Sequence, residues 1–131
     1  MIVLDTNVVS ELMCVSPATR VLTWLGRQAS VDMFTTAITV VEVCYGIVRL
    51  PQGRRRNELA AAADEVFGAS PEQILPFDRV AASAYAGLVA SREGAGSPID
   101  GFDAQIAAIC RVHRGSLATR NGKDFRDSAV R

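Results

Sequence analysis

The chain has 131 residues, enough for one domain with one hydrophobic core and short for two. Its 49% hydrophobic and 21% charged residues exclude a disordered chain, and no run nears the ~20 apolar residues that cross a bilayer. Fourteen basic residues balance fourteen acidic ones, so overall charge makes no case for nucleic-acid binding, while a local basic patch stays open.

Ile2-Val3-Leu4 is short and β-prone, and it stops at Asp5-Thr6-Asn7, whose side chains suit a helix start. Ser16-Pro17 is a second start signal, and Val21, Leu22, Trp24 and Leu25 supply the apolar face of the helix that follows. Val31 to Thr36 reads as a strand, and Thr39 to Leu50 as a helix closed by Pro51 and Gly53. A polar helix with an Ala-rich middle is expected from Arg54 to about Phe67. A short strand over Gln73 to Phe77 and a helix capped by Asp78, running to about Glu93, come next. Gly94 and Gly96 break the chain, Ser97-Pro98 prepares a helix from about Asp100 to His113, and Ser116 to Thr119 is a last short strand. Strands alternating with helices imply parallel strands joined by right-handed crossovers, hence a three-layer α/β domain without repeats or long linkers.

Cys14, Cys44 and Cys110 lie far apart with no CxxC spacing, which points to a reducing compartment and no structural zinc. Their apolar neighbours suggest core packing for all three. The chain opens directly on a hydrophobic strand, without the basic start and apolar stretch of a signal peptide, so a cytoplasmic protein without membrane contact is expected.

The informative feature is where certain carboxylates fall. Asp5 is the only charge among the first ten residues and ends a strand that should be central. Glu42 is the only charge between Asp32 and Arg49, and Asp103 shares a helical stripe with Ile106, Ala107 and Cys110. An ionised carboxylate against apolar surface is costly unless something positive or hydrogen-bonding offsets it. Several converging carboxylates suit a hard divalent cation, Mg²⁺ or Mn²⁺. In open α/β sheets, sites form outside the carboxyl ends of the strands, where Asp5 and the first turns carrying Glu42 and Asp103 would all lie. Each acid also has a plainer reading. Asp5 can cap a helix, Glu42 can be a snorkelling or hydrogen-bonded core residue, and Asp103 can answer a helix dipole. Gly46, one turn after Glu42 on the same face, favours close approach by another group, though glycine also serves helix packing. Asp100 and Asp78 are read as caps, and Asp64-Glu65 as part of a solvated face.

Other enzyme classes are disfavoured. A haloacid-dehalogenase-type phosphatase needs a second Asp where Asn7 stands, a dinucleotide-binding fold needs a GxGxxG turn where Asp5-Thr6-Asn7 stands, and paired-histidine RNA cleavage fails because His113 is alone. Cations suited to a phosphate backbone are Arg49, Arg54, Arg55, Arg56, Arg120 and Lys123. The eight aromatic residues are not interleaved with them, so base stacking has little support.

Taken in order, MIVLDTNVVSEL, AITVVEVCYGI, PIDGFDAQIAAIC and LATRNGKDF resemble the four motifs of PIN-domain proteins. They are most similar to VapC-type toxin ribonucleases of bacterial toxin–antitoxin pairs, including the FitB-like branch, in which the segment ILPFD (Ile74 to Asp78) is also common. The resemblance spans nearly the whole chain. It implies an α/β/α sandwich around a mostly parallel sheet and Mg²⁺- or Mn²⁺-dependent endonucleolytic cleavage of RNA. The family's first three acids fall on Asp5, Glu42 and Asp103 as metal ligands. Its fourth falls on Asn121, where many members carry Asp; a neutral oxygen there puts a second ion in question, and Asp124 is the residue that would compensate. Thr6, Arg54, Arg55 and Arg120 are the expected substrate contacts. A cognate antitoxin that occludes the site, a homodimer and a toxin–antitoxin hetero-oligomer are the implied assemblies. Residues 1–131 are expected to form a single PIN domain, to which similar proteins usually add a final short strand beyond what this chain shows. The competing expectation, which Asn121 keeps open, is a PIN-like fold without catalysis that binds RNA or protein.

Overall fold

The computed structural model describes residues 1–119. Strand β1 (Ile2–Leu4) leads to helices α1 (Thr6–Leu12) and α2 (Thr19–Gly26), then strand β2 (Met33–Thr36) and helices α3 (Ala37–Val48) and α4 (Arg54–Gly68). Strand β3 (Ile74–Leu75), helices α5 (Arg79–Gly94) and α6 (Gly101–His113) and strand β4 (Ser116–Ala118) complete it. The strands form one sheet in the order β3-β2-β1-β4, and every neighbouring pair is parallel. β1 pairs on both sides, Val3 standing opposite Phe34 and Leu117.

The three layers follow from strand alternation. Successive side chains of a strand point to opposite faces, so Val3 and Leu4 belong to different cores. Val3 and Leu117 pack with Leu88 of α5 and Ile106, Ile109 and Cys110 of α6. Leu4 packs on the other face with Val8, Val9, Val21, Val43, Ile47 and Ala63 of the first four helices. This is an α/β/α sandwich. Among the described residues no helix is long and apolar enough to cross a membrane.

Several boundaries differ from those expected, each for a local reason. Ser30–Asp32 form a 3-10 turn, so β2 begins at Met33 rather than Val31. The Gln73 side-chain amide donates to the carbonyls of Ser30 and Met33 at 3.0 and 2.8 Å, which satisfies that turn without a ladder. β3 is limited to Ile74–Leu75, with a 3-10 turn over Pro71–Gln73 before it and Pro76, which lacks an N–H, after it. α2 starts at Thr19, after Pro17, with Ala18 at its cap position and no side-chain capping bond. α3 starts at Ala37, two residues before the expected Thr39, because Thr36 caps it by accepting the Thr39 N–H at 3.1 Å.

The cysteines divide. Cys110 is buried as expected, whereas Cys14 and Cys44 are exposed. Cys44 shares the outward stripe of α3 with Val41, Tyr45 and Val48, and Cys14 follows the end of α1. On α2 only Val21 is fully buried, and Leu22 and Trp24 stay 47% and 37% exposed. Gly115 has a firm steric reason, since a Cβ there would stand 2.9 Å from Val3 Cγ2, where α6 turns into β4. Gly46 has no such constraint, because a Cβ there would meet nothing within 4 Å, contrary to the close approach expected of it.

Candidate active site

β1 stops at Leu4, and Asp5 turns the chain into α1. Its N–H donates to the Ala118 carbonyl at 3.1 Å, tying it to the end of β4. Its Oδ1 accepts the Val8 N–H at 3.0 Å, and the Asn7 N–H and Thr119 hydroxyl also stabilise the carboxylate. Asp5 is thus the helix cap that the sequence allowed. Yet it is only 5% exposed, and burial outweighs these hydrogen bonds and raises its carboxyl above the ordinary value. A cap alone does not require that burial.

Glu42 lies in the second turn of α3 rather than the first, because the helix begins at Ala37. It is half-buried, and Thr6 Oγ1 donates to its Oε1 at 2.7 Å. Since Thr6 follows Asp5, this contact brings the ends of β1 and β2 into one rim. Two more hydroxyls adjoin it: Thr39 Oγ1 is 3.4 Å from Thr6 Oγ1 and 3.3 Å from Thr36 Oγ1. Thr35 Oγ1 donates to the Leu4 carbonyl at 2.9 Å and closes the gap between the strand ends.

Asp103 occupies the first turn of α6 and is half-buried. Asp100 caps the helix as expected, its Oδ1 accepting the Phe102 N–H at 2.9 Å. α6 turns tightly into β4, which runs parallel to β1, so the start of α6 returns to the carboxyl edge of the sheet. Further along the stripe that holds Asp103, the Cys110 thiol is pushed up to about 12, first by burial and then by the charge of Asp5. Among the described residues, however, no three His, Cys, Asp or Glu side chains converge closely enough to hold a metal ion unaided.

The arginines separate by environment. Arg55 lines a groove of about 290 Å³ with Glu42, Ser10, Met13, Gly46 and Ile47. Arg54 projects into solvent with a 3.7 Å contact to Glu58, and Arg49 lies over the Tyr45 ring, 5.4 Å from its centroid. Arg56 is half-buried. Arg120, Asn121, Lys123 and Asp124 lie outside the described residues.

The donor chemistry suits a hard divalent cation. Asp5, Glu42 and Asp103 offer oxygen alone, and no lysine or arginine among the described residues neutralises Asp5 or Glu42. Sequence reasoning passed over Thr36, Thr39 and Arg92, all at most 5% exposed. For the two threonines the available signal was a polar side chain within an apolar run, the same signal that singled out Glu42; Arg92, between Ser91 and Glu93, carries no such signal.

A family model described as the PIN domain matches residues 2–130. VapC ribonuclease Y4jK of Sinorhizobium fredii is 39% identical over 126 residues, 95% of this chain and 90% of that protein. Toxin FitB of Neisseria gonorrhoeae is 35% identical over 126 residues, 95% of this chain and 91% of its own. The crystal structure of FitAcB from Neisseria gonorrhoeae matches with a TM-score of 0.91 at 34% identity, covering 99% of this chain and 94% of that one.

Proposed function

The chain belongs to the PIN domain family, and from that we propose that it is a metal-dependent endoribonuclease, the toxin of a bacterial toxin–antitoxin pair. The observation that carries this reading is the Asp5 carboxylate, buried with a raised pKa at the strand rim and linked through Thr6 to a second acid, Glu42. Relatives that cover most of the chain bear the names VapC ribonuclease and Toxin FitB, which supports the substrate class and the biological role.

In this reading Asp5, Glu42 and Asp103 hold Mg²⁺ or Mn²⁺, directly or through water, and Asn121 and Asp124 complete the site. When bound, a hard divalent cation neutralises phosphodiester charge and makes an attacking water more acidic, so that an RNA phosphodiester is hydrolysed. The protein's own groups do the remaining work. The backbone bond to β4 fixes Asp5 on its strand end, Thr6 orients Glu42, and Arg55 receives a flanking phosphate along the groove.

The partners in this reading are RNA and a cognate antitoxin that covers the rim, and the compartment is the cytoplasm. A homodimer is supported by the apolar stripe on α3, where Val41, Tyr45 and Val48 are 46%, 59% and 57% exposed. Residues 1–131 act as a single domain, in keeping with the family match over 2–130. The rival reading, a binding module without catalysis, draws on the lack of a three-ligand cluster among the described residues. Against it stands the burial of Asp5, which serves nothing in an idle site.

Induced expression in a bacterial host tests the proposal. Wild type should arrest growth and degrade RNA, and Asp103→Asn should do neither. Equal growth and intact RNA with both, at equal protein levels, would favour the binding module.

A further inference from the structure

Two fully buried threonines stand behind Glu42. Thr36 Oγ1 accepts the Thr39 N–H at 3.1 Å, and the Thr36 and Thr39 hydroxyl oxygens are 3.3 Å apart. Thr39 Oγ1 is 3.4 Å from Thr6 Oγ1, which donates to Glu42 Oε1 at 2.7 Å. Each hydroxyl has one proton, and an ionised carboxylate only accepts, so the Thr6 proton is committed to Glu42. The proton between Thr6 and Thr39 must then come from Thr39, and the one between Thr39 and Thr36 from Thr36. The result is a one-directional chain, Thr36 to Thr39 to Thr6 to Glu42, in which each donor is polarised by the next acceptor.

Helix capping does not account for Thr39. The cap needs the side-chain oxygen of Thr36 and only the backbone N–H of Thr39. Packing does not account for it either, since valine has nearly the same shape and no buried hydroxyl to satisfy. Thr36 and Thr39 are both 0% exposed, so water cannot replace a lost partner. Among the described residues Thr6 is the one donor that reaches the Glu42 carboxylate, which leaves Oε2 uncommitted.

We propose that Thr39 is a positioning residue for Glu42: through Thr6 it holds one carboxylate oxygen and leaves the other for a divalent cation. The inference rests on Glu42 being a ligand, as proposed above. Residues that orient ligands in this way typically change metal affinity by ~10–100-fold when removed.

The test is Mn²⁺ titration calorimetry on the full chain, with thermal melts confirming the fold of each variant. Thr39→Val should weaken Mn²⁺ binding about tenfold. Thr39→Ser should bind like wild type, and Thr39→Val should have no further effect in a Glu42→Gln background. Thr6→Val, at a half-buried position, removes the last link and should lose as much as Thr39→Val, which keeps the test decisive if Thr39→Val does not fold. Wild-type affinity in a folded Thr39→Val or Thr6→Val protein, with Glu42→Gln weakened, would overturn the relay alone. Unchanged affinity in Glu42→Gln would overturn the ligand assignment and the relay with it.

Discussion

The charge of Asp5 reaches the Cys110 thiol of α6, and after burial it is the second influence that pushes this thiol up to about 12. Asp5 follows Leu4, so strand alternation sends it to the Val3 side of the sheet, where α6 packs. The helix that carries Asp103 is thereby in electrostatic contact with the end of β1.

Cysteine chemistry should report this arrangement. Iodoacetamide at pH 8 should modify the exposed Cys14 and Cys44 in the native protein, and Cys110 only after denaturation, which mass spectrometry resolves. A folded-state thiol that keeps its proton above the ordinary value of 9.0 makes the unfolded chain the better acid. Stability should therefore fall as pH rises from 9.0 towards about 12. Rapid native labelling of Cys110 would contradict its placement.

Asp5→Asn should separate stability from activity. Asparagine keeps the cap and removes the charge that burial disfavours, so stability at neutral pH should rise by about 1 kcal/mol in urea titrations. Because the folded-state carboxyl is raised, this gain should fade as pH falls and vanish below the ordinary value of 3.8, where both states are protonated. Mn²⁺ should stabilise the wild type and not the variant. A destabilised Asp5→Asn would show that the ionised carboxylate supports the fold.

Arg92 is 5% exposed near the end of α5, and its Nε donates to the Ser97 carbonyl at 2.6 Å. That bond braces the turn leading to Asp100 and α6. Arg92→Met should cost about 2 kcal/mol of unfolding free energy, because it removes a charge-assisted bond to a part-buried carbonyl. A loss below the error of a urea titration would remove Arg92 from the account of how α6 is placed.

Arg55 and Arg54 should differ although they are adjacent. Arg55 shares the groove with Glu42, whereas Arg54 points into solvent. With catalysis silenced by Asp103→Asn, Arg55→Ala should weaken RNA binding and lower the slope of log affinity against log salt by roughly 0.7, the value for a single-strand phosphate contact. Arg54→Ala should change the slope less. Equal effects would indicate a diffuse basic surface without a defined path.

Much of this was legible in the sequence because the telling signals were local. Asp78 and Asp100, expected as caps, cap their helices, Asp5 also takes the capping place that was its plainer reading, and the strand–helix alternation implies the parallel sheet. Strand lengths were less legible. Val31 is as β-prone as its neighbours, but the Gln73 amide, 40 residues from Met33, supports a turn before β2. Cys44 was misjudged for a related reason: α3 is apolar on several faces, and only tertiary packing decides that Val43 and Ile47 turn inward while Cys44 and Tyr45 turn outward. The threonine chain behind Glu42 was invisible because its links join Thr6 to α3, and no local pattern encodes that contact.

The measurement that bears most directly on the central claim is RNA cleavage by purified protein in Mg²⁺, Mn²⁺ or EDTA, beside Asp5→Asn. The account predicts cleavage by wild type with either metal, none in EDTA, and a loss of at least about 100-fold in the variant, beyond what removal of a supporting residue produces. Cleavage that survives EDTA, or an Asp5→Asn protein as active as wild type, would contradict it.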